Sequence, residues 1–245
     1  MKRILLILIA FITTGIAEVQ AQTKNIVYDA NAEVRKVTGF KAVEVSGAID
    51  LYISQGTEEA VAISASSDEA RGRIKTEVTN GTLHIYFEGK GWNWKSWTNT
   101  KMKAYVTFTT LSRVEASGAC NVMTTDPIKV SDFKIDFSGA SDFKGDINAD
   151  NVTIISSGAS NIRLAGTADK ATIEASGACT IKAYDFKINM CKADASGASN
   201  IRITVNKELK ADASGGSTIY YKGDGIIRDI DTSGGASVKK KSDND

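Results

Sequence analysis

The chain has 245 residues, of which 42% are hydrophobic and 24% charged, and its formal net charge is +1. That is a globular balance, and near-neutrality argues against nucleic acid as a partner, because phosphate binding needs a cationic footprint. Its 21 glycines stand against a single proline, Pro127, in a chain rich in β-branched residues, which favours strands with tight corners over long helices.

Residues 1–21 read as a secretory signal peptide: Lys2 and Arg3, an apolar run from Ile4, then a small-residue cleavage site at Val19-Gln20-Ala21. Thr13, Thr14 and Gly15 break the run, which falls short of the roughly 20 apolar residues a membrane span needs, so no span is expected in the mature chain. The protein is therefore expected to be exported, to the periplasm, the cell surface or the medium. Residues 22–37 form a leading N-terminal arm whose order no pattern sets.

From Val37 to about Val114 the pattern is long-stranded and irregular. "FKAVEVSGAIDLYISQG" alternates apolar and polar residues, the signature of a half-buried strand. "SSDEARGRI" predicts one helical turn capped by Ser67 or Asp68. "IKTEVTNGTLHIYFEG" predicts a hairpin, because Asn80-Gly81 accepts the positive φ angles of a tight primed turn. The only histidine, His84, alternates with Leu83 and Ile85 and so belongs to the polar face of its strand. All three tryptophans, Trp92, Trp94 and Trp97, follow in the polar, glycine-bearing stretch "GWNWKSWTN". They are the candidate ligand-binding residues, since clustered rings on a loop can stack on sugars or anchor a protein contact. An apolar plug over one end of the fold is the competing reading.

Beyond Arg113 a short repeat takes over. Its anchors are Ser117, Ser138, Ser157, Ser176, Ser196, Ser214 and Ser233, spaced 18 to 21 residues apart, each followed by glycine; an earlier copy is Ser46-Gly47-Ala48. Residues one and three before each anchor are mostly apolar or small, as in Ile154 and Ala175, and the residue five beyond is apolar, as in Ile162 and Ile181. Coils of about 19 residues are too short for a propeller blade and suit a parallel β-helix, whose turns stack about 4.8 Å apart. Cys120 and Cys179 share the slot that other coils fill with Ser141, Ser160, Ser199 and Ser217, which marks them, with Cys191, as small core residues. No disulfide or metal site is expected of them, and no cofactor. A row of acids two before the anchors, including Glu115, Asp136, Glu174, Asp194 and Asp212, faces outward beside bases such as Arg113, Lys134 and Lys192, and reads as a salt-bridged surface before it reads as a cation site. Asn121, Asp142, Asn161 and Asn200 make another file, expected to steady the corners. Lys239, Lys240 and Lys241 discourage edge-to-edge pairing at the far end.

The succession "RKVTGFKAVEVSGAIDLYISQG", "IKTEVTNGTLHIYF", "KMKAYVTFTTLSRVEASGA" and the recurring Ser-Gly-Ala-Ser-x-Ile resembles the bacterial family called putative auto-transporter adhesin, head GIN domain. The resemblance covers residues 38–240. It implies a right-handed, single-stranded β-helix-like fold on exported proteins with an adhesive role, and brings no catalytic residues. Nothing after Ser237 supplies the strands of roughly ten residues that a translocating barrel requires, so self-export is not expected.

The sequence thus predicts an all-β protein, a parallel β-helix-like solenoid over 38–240 whose regular repeat spans 113–240, preceded by a capping region with a hairpin and followed by a charged tail at 241–245. The expected function is an exported binding or adhesion module of the cell envelope, recognising glycan or protein. A structural envelope scaffold and a polysaccharide-acting β-helix enzyme are the alternatives; the enzyme would need a cleft where carboxylates, alone or with Arg or Lys, depart from the repeat rule.

Overall fold

The computed structural model describes residues 29–91 and 100–242, so the signal-peptide segment 1–21 lies outside the described residues. Strands carry about two-thirds of the described chain, and all join one sheet that coils on itself. Three long strands form its regular part: β11 (Asp142–Ser156), β12 (Asn161–Ala175) and β13 (Thr180–Ala195). Each pairs in parallel with the next, Phe143 opposite Ile162 and Ile162 opposite Ile181. Before them come β8 (Arg113–Ser117), β9 (Asn121–Thr124) and β10 (Ile128–Phe137); after them come β14 (Asn200–Ala213), β15 (Thr218–Lys222), β16 (Ile226–Thr232) and β17 (Ser237–Lys240). The result is a β-solenoid of stacked parallel coils of about 19 residues, as the repeat predicts.

The core is narrow and built from the rows that the repeat assigns inward. Ile135, Ile154, Ile173 and Ala193 are fully buried, as are Val122, Ile162, Ile181, Ile201 and Ile219. Each anchor marks a corner. Ala159 N donates to the Gly139 carbonyl at 2.7 Å, Ala178 N to Gly158 at 2.7 Å and Ala198 N to Gly177 at 2.7 Å, so the corners form their own ladder. The cysteine slot is buried throughout. Cys179 Sγ donates to the Ser176 carbonyl at 3.0 Å, as Ser160 Oγ does to Ser157 at 3.0 Å and Ser217 Oγ to Ser214 at 2.8 Å, so a thiol serves where other coils use a hydroxyl. The asparagine file bonds differently from the expectation. Asn161 Nδ2 reaches Asp142 Oδ1 at 2.9 Å, and Asn121 Nδ2 reaches Asp50 Oδ1 at 2.7 Å, so these groups join neighbouring coils instead of steadying a corner within one.

The capping region is threaded out of sequence order. β2 (Ala42–Ser46) and β3 (Asp50–Gln55) make one coil; β6 (Thr82–Phe87) and β7 (Met102–Phe108) make another. The β2/β3 coil is sandwiched, β2 between β6 and β8 and β3 between β7 and β9. The later segment therefore sits at the outer end, and the Ser46-Gly47 copy lies beside Gly118 as a corner of the same ladder. β5 (Ile74–Thr79) folds back on β6 through Asn80 and Gly81, whose φ angles of 51° and 74° are those of the predicted primed turn. α1 (Asp68–Arg73) is capped by Ser67, which accepts from Ala70 N at 3.2 Å. β4 (Ala60–Ala65) runs antiparallel to β7 and is covered by β1 (Glu33–Arg35), so part of the N-terminal arm is a strand.

The opposite end departs from the repeat. On β16, Ile227 and Ile230 pair with the inward Leu209 and Ala211 yet are 45% and 39% exposed, while Ile226, paired with the outward Glu208, is 55% exposed. Inward positions bury only when a further coil stacks above them, and among the described residues none does.

Candidate functional site

The outward side chains form files along the solenoid. On the face before the corners three acids of the row are compensated as the spacing predicts, Arg113 binding Glu115 at 2.8 Å, Lys134 binding Asp136 at 2.9 Å and Lys192 binding Asp194 at 2.8 Å, whereas Lys210 and Asp212 at the same spacing form no ion pair with each other. The Asp194 carboxylate holds the Lys192 ammonium above its ordinary pKa. No group of three or more His, Cys, Asp or Glu is arranged for a metal among the described residues. His84 lies on the outer face, 3.0 Å from Glu44. The cysteines are free and buried. Burial pushes the Cys191 thiol up to about 12 and also raises Cys120, so neither supplies a thiolate at neutral pH.

Trp92, Trp94 and Trp97, the predicted ligand contacts, lie outside the described residues, in the stretch that connects β6 to β7.

The face after the corners carries a file that the sequence reading passed over. Six residues beyond successive anchors stand Met123, Lys144, Arg163, Lys182, Arg202, Tyr220 and Lys239, laterally paired from coil to coil. The same fixed spacing that exposed the acidic row would have found it. Three shallow cavities open along this file. The largest, about 660 Å³, is lined by Lys144, Arg163 and Lys182 together with Asp126, Asp146 and Asp185. A second, about 200 Å³, lies between Asn121, Asp142 and Asn161 and the bases Lys144 and Arg163. The third, about 310 Å³, is formed by Tyr184, Arg202, Tyr220 and Lys241. There the Lys241 ammonium sits 5.3 Å from the Tyr220 ring centroid, and Lys222 sits 4.9 Å from that of Tyr184. Such cation–π contacts fix flexible lysines over rigid rings.

Comparisons agree with this architecture. A putative adhesin from Bacteroides fragilis is similar at 22% identity, with a TM-score of 0.78 over 86% of this chain and 96% of that one. A putative lipid binding protein from Parabacteroides distasonis shares 22% identity with a TM-score of 0.65, over 87% and 98% of the two chains. A putative adhesin from Parabacteroides merdae shares 18% identity with a TM-score of 0.61, over 86% and 95%. At these identities the likeness is one of fold. No curated protein matches the chain. The sequence signature of one family matches residues 39–225, most of the solenoid just described, and the chain therefore belongs to that family, putative auto-transporter adhesin, head GIN domain.

Proposed function

We propose that the protein is an exported adhesive module of the bacterial cell envelope, which binds a glycan or a protein and does not transform it. The observation that carries this reading is the solenoid surface: side chains held in straight files, in register over many coils, present an extended and rigid face. Preorganised surfaces of this kind lose little entropy on binding an extended ligand. The family and the adhesin-like neighbours support the same role. Trp92, Trp94 and Trp97 remain the proposed aromatic contacts.

The test is a screen of the mature protein against glycans and matrix proteins, beside a variant with all three tryptophans replaced by alanine. The expected result is at least one ligand bound by the native protein and weakened in the variant. If the two bind equally, the tryptophans have no such role; a native protein that binds nothing leaves the scaffold reading standing.

A second reading, a polysaccharide-acting enzyme, is favoured by one observation. The largest cavity brings Asp126, Asp146 and Asp185 beside Lys144, Arg163 and Lys182, the mixture of acids and bases that glycan chemistry uses. Release of new reducing ends or unsaturated sugars from acidic polysaccharides would support it, and their absence would leave the binding module.

A further inference from the structure

We propose that the face after the corners is a binding track for a linear acidic polysaccharide, its carboxylates or sulfates held by the file Lys144, Arg163, Lys182, Arg202 and Lys239 together with Lys241. This rests on the binding-module reading and names the ligand class for a surface separate from the tryptophan stretch.

Two faces of the same coils contrast. Before the corners, three acids stand two residues from bases and pair with them at 2.8 to 2.9 Å. After the corners Lys144 is still flanked two positions away by Asp142 and Asp146, and from Arg163 onward that compensation stops. The residues flanking Arg163, Lys182, Arg202 and Lys239 two positions away, on the same side of the strand, are Asn161 and Ala165, Thr180 and Tyr184, Asn200 and Thr204, and Ser237 and Lys241. None is acidic. Among the described residues, no carboxylate lies within ion-pair distance of Lys144, Arg163, Lys182, Arg202, Lys239 or Lys241, although Asp126, Asp146 and Asp185 also line the large cavity.

Spacing points the same way. From Lys144 to Lys239 is five coil intervals, on the order of 24 Å at the usual strand separation. From Lys144 to Arg202 successive cations stand one interval apart, closer than the Debye length of about 8 Å at physiological salt, so they repel one another; Tyr220 separates Arg202 from Lys239. A polymer with anionic groups along its length relieves several of these repulsions at once, which a single small anion does not.

The neighbouring groups select a glycan among polyanions. Beside the cations runs a file of amides and hydroxyls, Asn161, Thr180, Asn200, Thr218 and Ser237, suited to sugar hydroxyls. Among the described residues the exposed large aliphatic side chains, Val34, Ile226, Ile227 and Ile230, lie on β1 and β16 and not on this face, which leaves it nothing to enter a lipid layer. Nucleic-acid binders carry a large positive excess, whereas this chain totals +1. Tyr184 and Tyr220, by fixing Lys222 and Lys241, reduce the freedom lost when an anion is held.

The test measures binding of the mature protein to heparin and to polygalacturonate, with dextran, duplex DNA and vesicles of anionic phospholipid as comparators. One variant removes charge on the file (Arg202→Gln, Lys239→Gln, Lys241→Gln). A control removes the same charge elsewhere (Lys129→Gln, Lys170→Gln, Lys210→Gln). The acidic glycans should bind, binding should weaken with salt, and the file variant should lose roughly tenfold while the control stays within about twofold. Thermal unfolding of each variant checks folding, and Lys239→Gln alone, at an exposed site, provides a smaller loss in the same direction. Equal loss in both triple variants, or preference for DNA or vesicles, overturns the track. So does an absence of acidic-glycan binding while the tryptophan-dependent ligand is still bound, an outcome that leaves the binding module intact. If no ligand of any kind binds, both readings fall.

Discussion

Replacing Gly158 by alanine should be among the most damaging single changes, although the residue is exposed. Gly158 has φ +75°, and an added Cβ would stand 2.5 Å from the Gly139 carbonyl oxygen and 3.0 Å from its nitrogen. That oxygen already accepts the hydrogen bond from Ala159 N at 2.7 Å, and Gly158 itself accepts from Ala178 N at 2.7 Å. The left-handed conformation costs an L-residue about 1–2 kcal/mol. Forcing the backbone apart adds about 1–3 kcal/mol, by analogy with overpacking, and one weakened hydrogen bond adds about 1 kcal/mol. The sum is roughly 3–6 kcal/mol, a large share of a typical folding free energy of about 5–15 kcal/mol. Two other glycines separate these contributions. Gly81 has φ +74° but no atom within 4 Å of its Cβ position, so Gly81→Ala should cost only about 1–2 kcal/mol. Gly72, in α1 with ordinary φ and open space, should be stabilised by about 0.5–1 kcal/mol on the same change. Urea unfolding followed by far-ultraviolet circular dichroism reads all three. A Gly158→Ala midpoint no lower than that of Gly81→Ala would refute the claim that coil-to-coil contact dictates glycine at the corner.

Ser156 stands between Phe137 and Ala175 in its row, is 1% exposed, and its hydroxyl has no hydrogen-bond partner; Ser156→Ala should stabilise the fold by about 1 kcal/mol in the same denaturation assay. Cys179→Ser should shift stability by less than about 1 kcal/mol, because the new hydroxyl can reach the Ser176 carbonyl as Ser160 and Ser217 reach theirs. Thiol labelling of the native protein should be slow at all three cysteines and become fast on unfolding. Tyr105 donates to Asp29 at 2.8 Å and holds that carboxyl below its ordinary pKa. A lowered folded-state pKa gives stability that is present above the unfolded value of about 3.9 and is lost as pH falls through the folded one. The melting temperature should therefore drop more between pH 5 and pH 3 in the native protein than in Tyr105→Phe, and equal drops would remove Asp29 as the cause. Ser67→Ala should cost about 1 kcal/mol by uncapping α1, measured by urea unfolding.

Features legible in the sequence were those set by short-range periodicity. The alternation around each Ser-Gly pair assigned Ile154, Ile162 and their equivalents inward, and Asn80-Gly81 marked the hairpin, since both depend on side-chain direction and local φ preference. The acid–base pairing of Lys134 with Asp136 was legible for the same reason, two residues on one strand sharing a face. The family resemblance, carried by motif order, agrees with the signature match over 39–225. The candidate site was less legible. The tryptophans announce themselves by type, whereas Arg163, Lys182 and Arg202 stand out only once adjacent coils are in register and no acid proves to flank them along their strands.

The sequence by itself determined the coil, its corner and the direction in which each side chain points, because these follow from steric preferences acting over a few residues. The tertiary structure decided how the coils are stacked. It placed β6 and β7 outside β2 and β3, brought Gly47 beside Gly118, and left Ile227 and Ile230 uncovered at the far end. It also brought Lys222 over Tyr184 and Lys241 over Tyr220, pairs separated by 38 and 21 positions in the chain. Such choices are made by backbone hydrogen bonds and packing between distant segments, and only the assembled stack reveals which charges find a partner.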